Sequence, residues 1–222
     1  VENPAIAFFC SNCGYNLKQS KELSDLELLQ EHLAAKEYKV ERKIEGGSQS
    51  DPYLCEYLPT GEKYVVRLLK KDQPEDLKDL FITGVQLNAI FDHPNILQVK
   101  EVGQIGDRPY FISRYADNGT LYWLLKTYGS TGMPIEEAIE LTIKVLKGLH
   151  EIHEKNVIHR NIKPDAVFTQ KNGEPVIGEF GLAKQIEDGK KIKSESLVGT
   201  LEYMSPERCK LARSVDRRSD IY

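Results

Sequence analysis

Residues 157–168 read VIHRNIKPDAVF. The run is placed between two strong local patterns. Upstream, Pro134 opens a helix on which Ile135, Ala138, Ile139, Thr142, Ile143, Leu146 and Leu149 fall on one stripe, with proline at the first turn as helices prefer. Downstream, Asn172-Gly173 is a hairpin signal between two short strands. The stretch is therefore a loop between a long helix and a hairpin.

Working outward, the upstream half alternates like a sheet. Tyr38–Ile44, Pro52–Tyr57 and Lys63–Leu69 read as three strands, with Pro59-Thr60-Gly61 turning the second into the third. Leu77–Phe91 reads as a helix ended by Asp92-His93-Pro94-Asn95. Ile96–Ile105 and Tyr110–Tyr115 read as two further strands around Gly106-Asp107. Ahead of them, Ser24 and Glu27 have capping-box spacing, and Leu26, Leu29 and Leu33 recur at helical intervals. A short linking helix is expected there.

This order resembles the bilobal protein kinase fold of the serine/threonine type, over Tyr38 to Tyr222. Five motifs in sequence carry the resemblance: His93-Pro94-Asn95-Ile96, Asn118-Gly119-Thr120-Leu121, His159 to Pro164, Glu179-Phe180-Gly181-Leu182-Ala183, and Gly199-Thr200 with Tyr203 to Glu207. It implies an α+β architecture. The expected divisions are a zinc-ribbon-like segment at 1–19, a helical linker at 20–37, a five-stranded N-lobe at 38–115 and a mainly helical, incomplete C-lobe at 116–222. Asp220-Ile221-Tyr222 looks like the start of a helix that normally anchors the catalytic loop from below.

The resemblance also assigns tasks, and few are filled in the usual way. Phosphoryl transfer is mostly positioning and electrostatics. Of the phosphate-loop glycines only Gly47 falls on a family position, and Glu45 and Asp51 add negative charge nearby. Arg67 stands where a lysine holds the α- and β-phosphates; arginine keeps the charge but is longer and forked. Gly84 stands where that lysine's glutamate partner is expected, and Asn88 occupies a position usually apolar. Asn161 replaces the carboxylate that accepts the hydroxyl proton, and an amide is no base near neutral pH. Ala166 replaces a metal-holding asparagine. Glu179 replaces a metal-holding aspartate and remains an oxygen ligand. Val65, Pro52 and Phe168 fall around the adenine slot, with Ser113-Arg114-Tyr115 as its hinge. His159, Phe180 and Val99 are expected to stack as an apolar spine. In the family such an arginine as Arg160 can meet a phosphorylated activation segment; Ser194, Ser196 and Thr200 are candidate acceptors, against the reading of plain loop hydroxyls that are never modified.

The expectation drawn from the joint change at Gly84, Asn161 and Ala166 is a pseudokinase. That is a catalytically inactive scaffold or binding module with a protein partner or larger assembly, and no catalytic residue. Two alternatives stay open. One is a nucleotide-sensing module in which Gly47, Arg67, Lys163 and Glu179 bind ATP weakly. The other is an atypical active kinase drawing on Lys163, Asp165 and Glu179.

Composition bounds the rest. The chain has 222 residues, 40% hydrophobic and 29% charged, with a formal net charge of −4, an ordinary soluble balance with no basic bias toward nucleic acid. No run approaches the roughly 18 apolar residues of a membrane span. Four cysteines are too scattered for a disulfide framework, and a cytoplasmic setting is expected. Cys10-Ser-Asn-Cys13-Gly14 is one knuckle resembling half of a zinc ribbon. Zinc wants four ligands and this pair gives two, so no cofactor is expected; zinc at Cys10 and Cys13 and weakly bound ATP stay open.

Overall fold

A computed structural model describes residues 23–47, 49–186, 200–210 and 215–222. The Cys10–Cys13 knuckle, Ser194 and Ser196 lie outside the described residues. The chain has an α+β architecture, with a five-stranded antiparallel sheet followed by a mainly helical part.

Helix α1 (Asp25–Ala34) begins with the expected capping box. The Glu27 N–H donates to Ser24 Oγ, and the Ser24 N–H donates back to the Glu27 carboxylate. Two backbone donors that a helix start leaves unpaired are thereby satisfied. Leu29 and Leu33, one turn apart, are fully buried against the sheet. Each contributes roughly 1.5–3 kcal/mol by leaving water. Arg108 forks onto the Asp25 carboxylate at 2.6 and 3.0 Å and donates Nε to the Leu69 carbonyl.

Strands β1 (Tyr38–Lys43), β2 (Ser50–Tyr57), β3 (Glu62–Leu69), β4 (Val99–Ile105) and β5 (Arg108–Arg114) pair in the order β1-β2-β3-β5-β4. Strand alternation gives the sheet two faces. Tyr38, Val40, Tyr53, Tyr64, Val66 and Tyr110 face α1 and build one core. Tyr38, Tyr57 and Tyr64 meet there with ring centroids 5.0–6.4 Å apart. Pro52, Val65 and Arg67 face the other way, into the cleft between the lobes.

Helix α2 (Glu75–Ala89) starts two residues before the expected position, because Pro74 serves as its N-cap. Asn95 ties this part to the C-lobe. Its carbonyl accepts from the Ile177 N–H, and its buried side-chain amide donates to the Pro175 carbonyl. Beyond it lie α3 (Leu121–Thr127), the 20-residue α4 (Ile135–Glu154), and β6 (Val157–Ile158). The hairpin of β7 (Val167–Thr169) and β8 (Pro175–Ile177) follows, then β9 (Lys184–Gln185), which pairs with β6, and α5 (Pro206–Cys209).

The stripe on α4 divides. Leu149 is buried beside Ile152, while Ile135, Ile139, Ile143 and Leu146 are exposed among the described residues. Periodicity sets which residues share a face but not what covers it.

Candidate functional site

The stretch 157–168 forms the floor of the cleft. Its backbone is held by groups outside it. The buried Asp220 carboxylate accepts from the backbone N–H of His159 at 2.9 Å and of Arg160 at 2.7 Å, and it meets His153 Nε2 at 2.9 Å. The anchor expected of a following helix is thus already made by Asp220, in a short 3-10 turn at Arg217–Asp220. His159 Nε2 lies 2.8 Å from the Gly178 carbonyl, so that nitrogen carries the proton. Nδ1 then accepts from the Asn161 N–H at 3.3 Å. Burial pushes the His159 pKa down, so the ring is neutral, consistent with one donating and one accepting nitrogen.

Two non-glycine residues of the site have positive φ. Arg160 is at 63°, and Glu179 at 61° with ψ 47°. The Arg160 side chain donates Nε to the Leu182 carbonyl, while Arg208 donates to the Arg160 carbonyl. Lys163 Nζ donates to Thr200 Oγ1 at 2.9 Å, tying the 157–168 loop to the described segment that begins at Thr200. Thr200, a candidate phosphate acceptor, is engaged by this bond.

The roof is organised by strand register. Pro52 pairs Arg67, and Arg67 pairs Phe111, so the three share the cleft face. The Arg67 guanidinium lies 5.8 Å from the Phe111 ring centre and 5.4 Å from that of Phe168 on the floor. Both separations suit a cation over an aromatic face. Its Nη2 is 3.9 Å from Glu179 Oε1. Arg67 thus spans the cleft to the floor instead of turning to α2.

On α2, Gly84 faces the same place. A Cβ built there would lie 2.6 Å from the Phe180 carbonyl oxygen and 2.9 Å from Gly181 Cα. The helix therefore packs backbone to backbone against the Glu179-Phe180-Gly181 turn. Asn88, one turn on, is buried and donates Nδ2 to the Leu97 carbonyl at 3.0 Å.

Asn88 divides the expected spine. His159 stacks edge-on against Phe180 with centroids 4.8 Å apart, and Phe91 joins Phe180 at 5.6 Å. Val99 instead packs in a separate cluster with Leu69, Phe81 and Val85. Val85, Asn88 and Phe91 succeed one another at helical spacing, so the amide sits where the two apolar clusters would otherwise meet.

The cleft encloses about 1500 Å³ of space open to solvent. Gly47, Arg67, Asn161, Lys163, Asp165 and Glu179 all line it. Gly47 has φ 80°, and a Cβ there would lie 2.0 Å from the Ser50 carbonyl oxygen, so only glycine fits the turn. Val65, Pro52 and Phe168 line the apolar end together with Ala116, a hinge residue the sequence reading stopped short of. Glu45 lines the cleft as expected, but Asp51 does not. Strand alternation turns Asp51 to the α1 face, where Lys43 holds it at 3.0 Å. Its charge is therefore removed from the phosphate region.

The fold implies a divalent cation held by two side-chain oxygens. Glu179 provides one of them. Ala166, fully buried, provides none. Among the described residues no three His, Cys, Asp or Glu side chains gather as metal ligands. The residues present do not fit the usual metal pair.

Comparison with known proteins bears on what this geometry does. The protein kinase domain model matches residues 38–222. Serine/threonine-protein kinase pkn2 of Myxococcus xanthus is 32% identical over 193 residues, which is 83% of this chain and 23% of the relative. Serine/threonine-protein kinase PknB of Mycobacterium leprae is 30% identical over 183 residues, 79% of this chain and 29% of the relative. Serine/threonine-protein kinase PrkC of Bacillus subtilis is 26% identical over 189 residues, 83% and 28% respectively. The chain spans less than a third of the length of these relatives.

The relatives' names overturn one expectation. They are serine/threonine-protein kinases, so the expectation of a non-enzyme is corrected toward an enzyme. The physical reason for the error is that replaced side chains were weighed more heavily than the retained backbone frame around them. With motif order, lobe architecture and family model in agreement, the chain belongs to the protein kinase family.

Proposed function

We propose that this domain acts as a serine/threonine protein kinase with an altered catalytic set, transferring the γ-phosphoryl group of ATP slowly to a protein hydroxyl. The observation that carries this reading is Arg67, which spans the cleft to Glu179 over Phe168 while Asn161 and Lys163 line the same space. The adenine ring would lie between Val65 and Phe168, with the phosphates directed toward Arg67.

Asn161 accepts a hydrogen bond from the incoming hydroxyl through its amide oxygen and so orients the attacking oxygen. It does not remove the proton. In the loose transition state of phosphoryl transfer, bond breaking to the leaving oxygen runs ahead of bond making, so an early base is not required. The β–γ bridging P–O bond breaks, a P–O bond to the substrate oxygen forms, and the hydroxyl proton passes late to an oxygen of the transferred phosphoryl group. Lys163, beside the hydroxyl's path, stabilises the charge on that group. The price of lacking a base is rate, since a positioned acid or base is typically worth 10²–10⁴-fold.

The test is transfer of labelled γ-phosphate to a generic protein acceptor, with magnesium salt present. Slow transfer is expected. It is lost in Lys163→Met and rises by about 10²-fold in Asn161→Asp. Equal label incorporation by the native chain and Lys163→Met would sink the proposal.

A further inference from the structure

The floor and roof of the cleft disagree about cations. Where the fold brings a metal to the phosphates through two side-chain oxygens, this chain has Glu179 and the buried Ala166. Magnesium demands near-ideal octahedral geometry and gives up its water reluctantly, so a single protein oxygen holds it poorly. Glu179 is not free for that task either, because its nearest charged neighbour is Arg67, Nη2 to Oε1 3.9 Å. The Arg67 side chain is 14% exposed, whereas that of Glu179 is 45% exposed. The cation is therefore the built-in partner and the carboxylate the displaceable one.

The arrangement follows from the sequence. Strand register puts Arg67 on the cleft face between Pro52 and Phe111. Gly84 leaves α2 without a carboxylate at the point where it meets the Phe180-Gly181 backbone. The guanidinium rests over Phe168 instead, in the part of the cleft where a nucleotide would extend from base to phosphates. A planar fork there matches two phosphate oxygens at once, which a lysine ammonium cannot do. Arg42, Arg114 and Lys163 add further positive charge along the same walls.

We infer that this cleft takes a nucleoside triphosphate as the free anion, with the Arg67 guanidinium standing where the divalent cation would otherwise neutralise the phosphates. The ligand displaces Glu179 from Arg67 and needs no metal to bind. This rests on the kinase reading only in that a nucleotide is the ligand.

The measurement is calorimetric binding of ATP to the whole chain, once in excess EDTA and once in excess magnesium, with phosphoryl transfer followed in parallel. The two dissociation constants are expected to agree within about threefold. Arg67→Met should weaken binding about tenfold or more in both buffers, with Arg67→Lys in between. Glu179→Gln should bind in EDTA as tightly as the native chain or tighter, since a carboxylate facing the phosphates is gone. Tightening by magnesium of tenfold or more, or native-like affinity in folded Arg67→Met, overturns the inference. Absence of binding in both buffers overturns it together with the kinase reading. Binding in EDTA without any transfer leaves it standing while the kinase reading falls.

Discussion

The two walls of the cleft are held by different physics. The floor, residues 157–168, is fixed by hydrogen bonds to its own main chain: Asp220 to the His159 and Arg160 N–H groups, and His159 Nδ1 from the Asn161 N–H. None of these depends on which side chain stands at position 161 or 166. The roof depends on side chains, namely Arg67 over Phe111 and Phe168, and on a helix pressed against backbone at Gly84. A backbone-held wall tolerates replacement of its working residues without losing shape. A side-chain-held wall changes geometry when its residues change, and Arg67 and Gly84 have changed it together.

The largest effect is expected from breaking the floor. Asp220→Ala removes a buried carboxylate and strands three donors, at about 3–5 kcal/mol of stability. Denaturant unfolding measures it; a loss below about 1 kcal/mol would show that the floor is held by other means. In the roof, Gly84→Ala sets helix propensity against space. Alanine favours the helix by about 1 kcal/mol, but its methyl collides with the Phe180 carbonyl, which cannot rotate away. Overpacking typically costs about 1–3 kcal/mol, so net destabilisation is expected with faster amide exchange across α2. A net gain in stability would show that α2 is not pressed against that turn.

The smallest effect tests the far side of the roof. The Asp25 carboxyl is held below its ordinary value of 3.8, chiefly by the hydrogen bond from Arg108 and against the opposing effect of burial. Because the folded-state pKa is the lower one, this contact stabilises the protein above pH about 4 and is lost as pH falls through the folded value. Protection of the α1 amides against exchange, taken relative to the intrinsic rate at each pH, should therefore fall on acidification below pH about 4, and Asp25→Asn should flatten that dependence. An unchanged pH profile in the variant would remove the ion pair as the cause.

The strands and the long helix were legible because period-2 and period-3.6 patterns are local properties of the chain, whereas the sheet order is a property of pairing. The candidate site was legible as positions, since Arg67, Asn161, Lys163 and Glu179 do line one cleft. Its contacts were less so. Asp51 was assigned to the phosphate region because sequence proximity ignores which sheet face a residue takes. Asp220 was read only as the start of an anchoring helix, because the His159 and Arg160 N–H groups that it holds lie some sixty residues away and leave no mark in the sequence. Asn88 looked like a lost spine residue, although its amide has a partner in the Leu97 carbonyl.

Arg160 and Glu179 both have a left-handed backbone that side chains other than glycine rarely adopt. Such a conformation costs of order 1–3 kcal/mol per residue and persists only where the surroundings impose it. At Arg160 they do so through Asp220 and Leu182. The motif is consequently not portable. Cut out as a peptide or grafted onto another scaffold, it would relax to ordinary angles and the cleft floor would lose its shape, so inhibitors or mimics of this site must be designed against the whole domain.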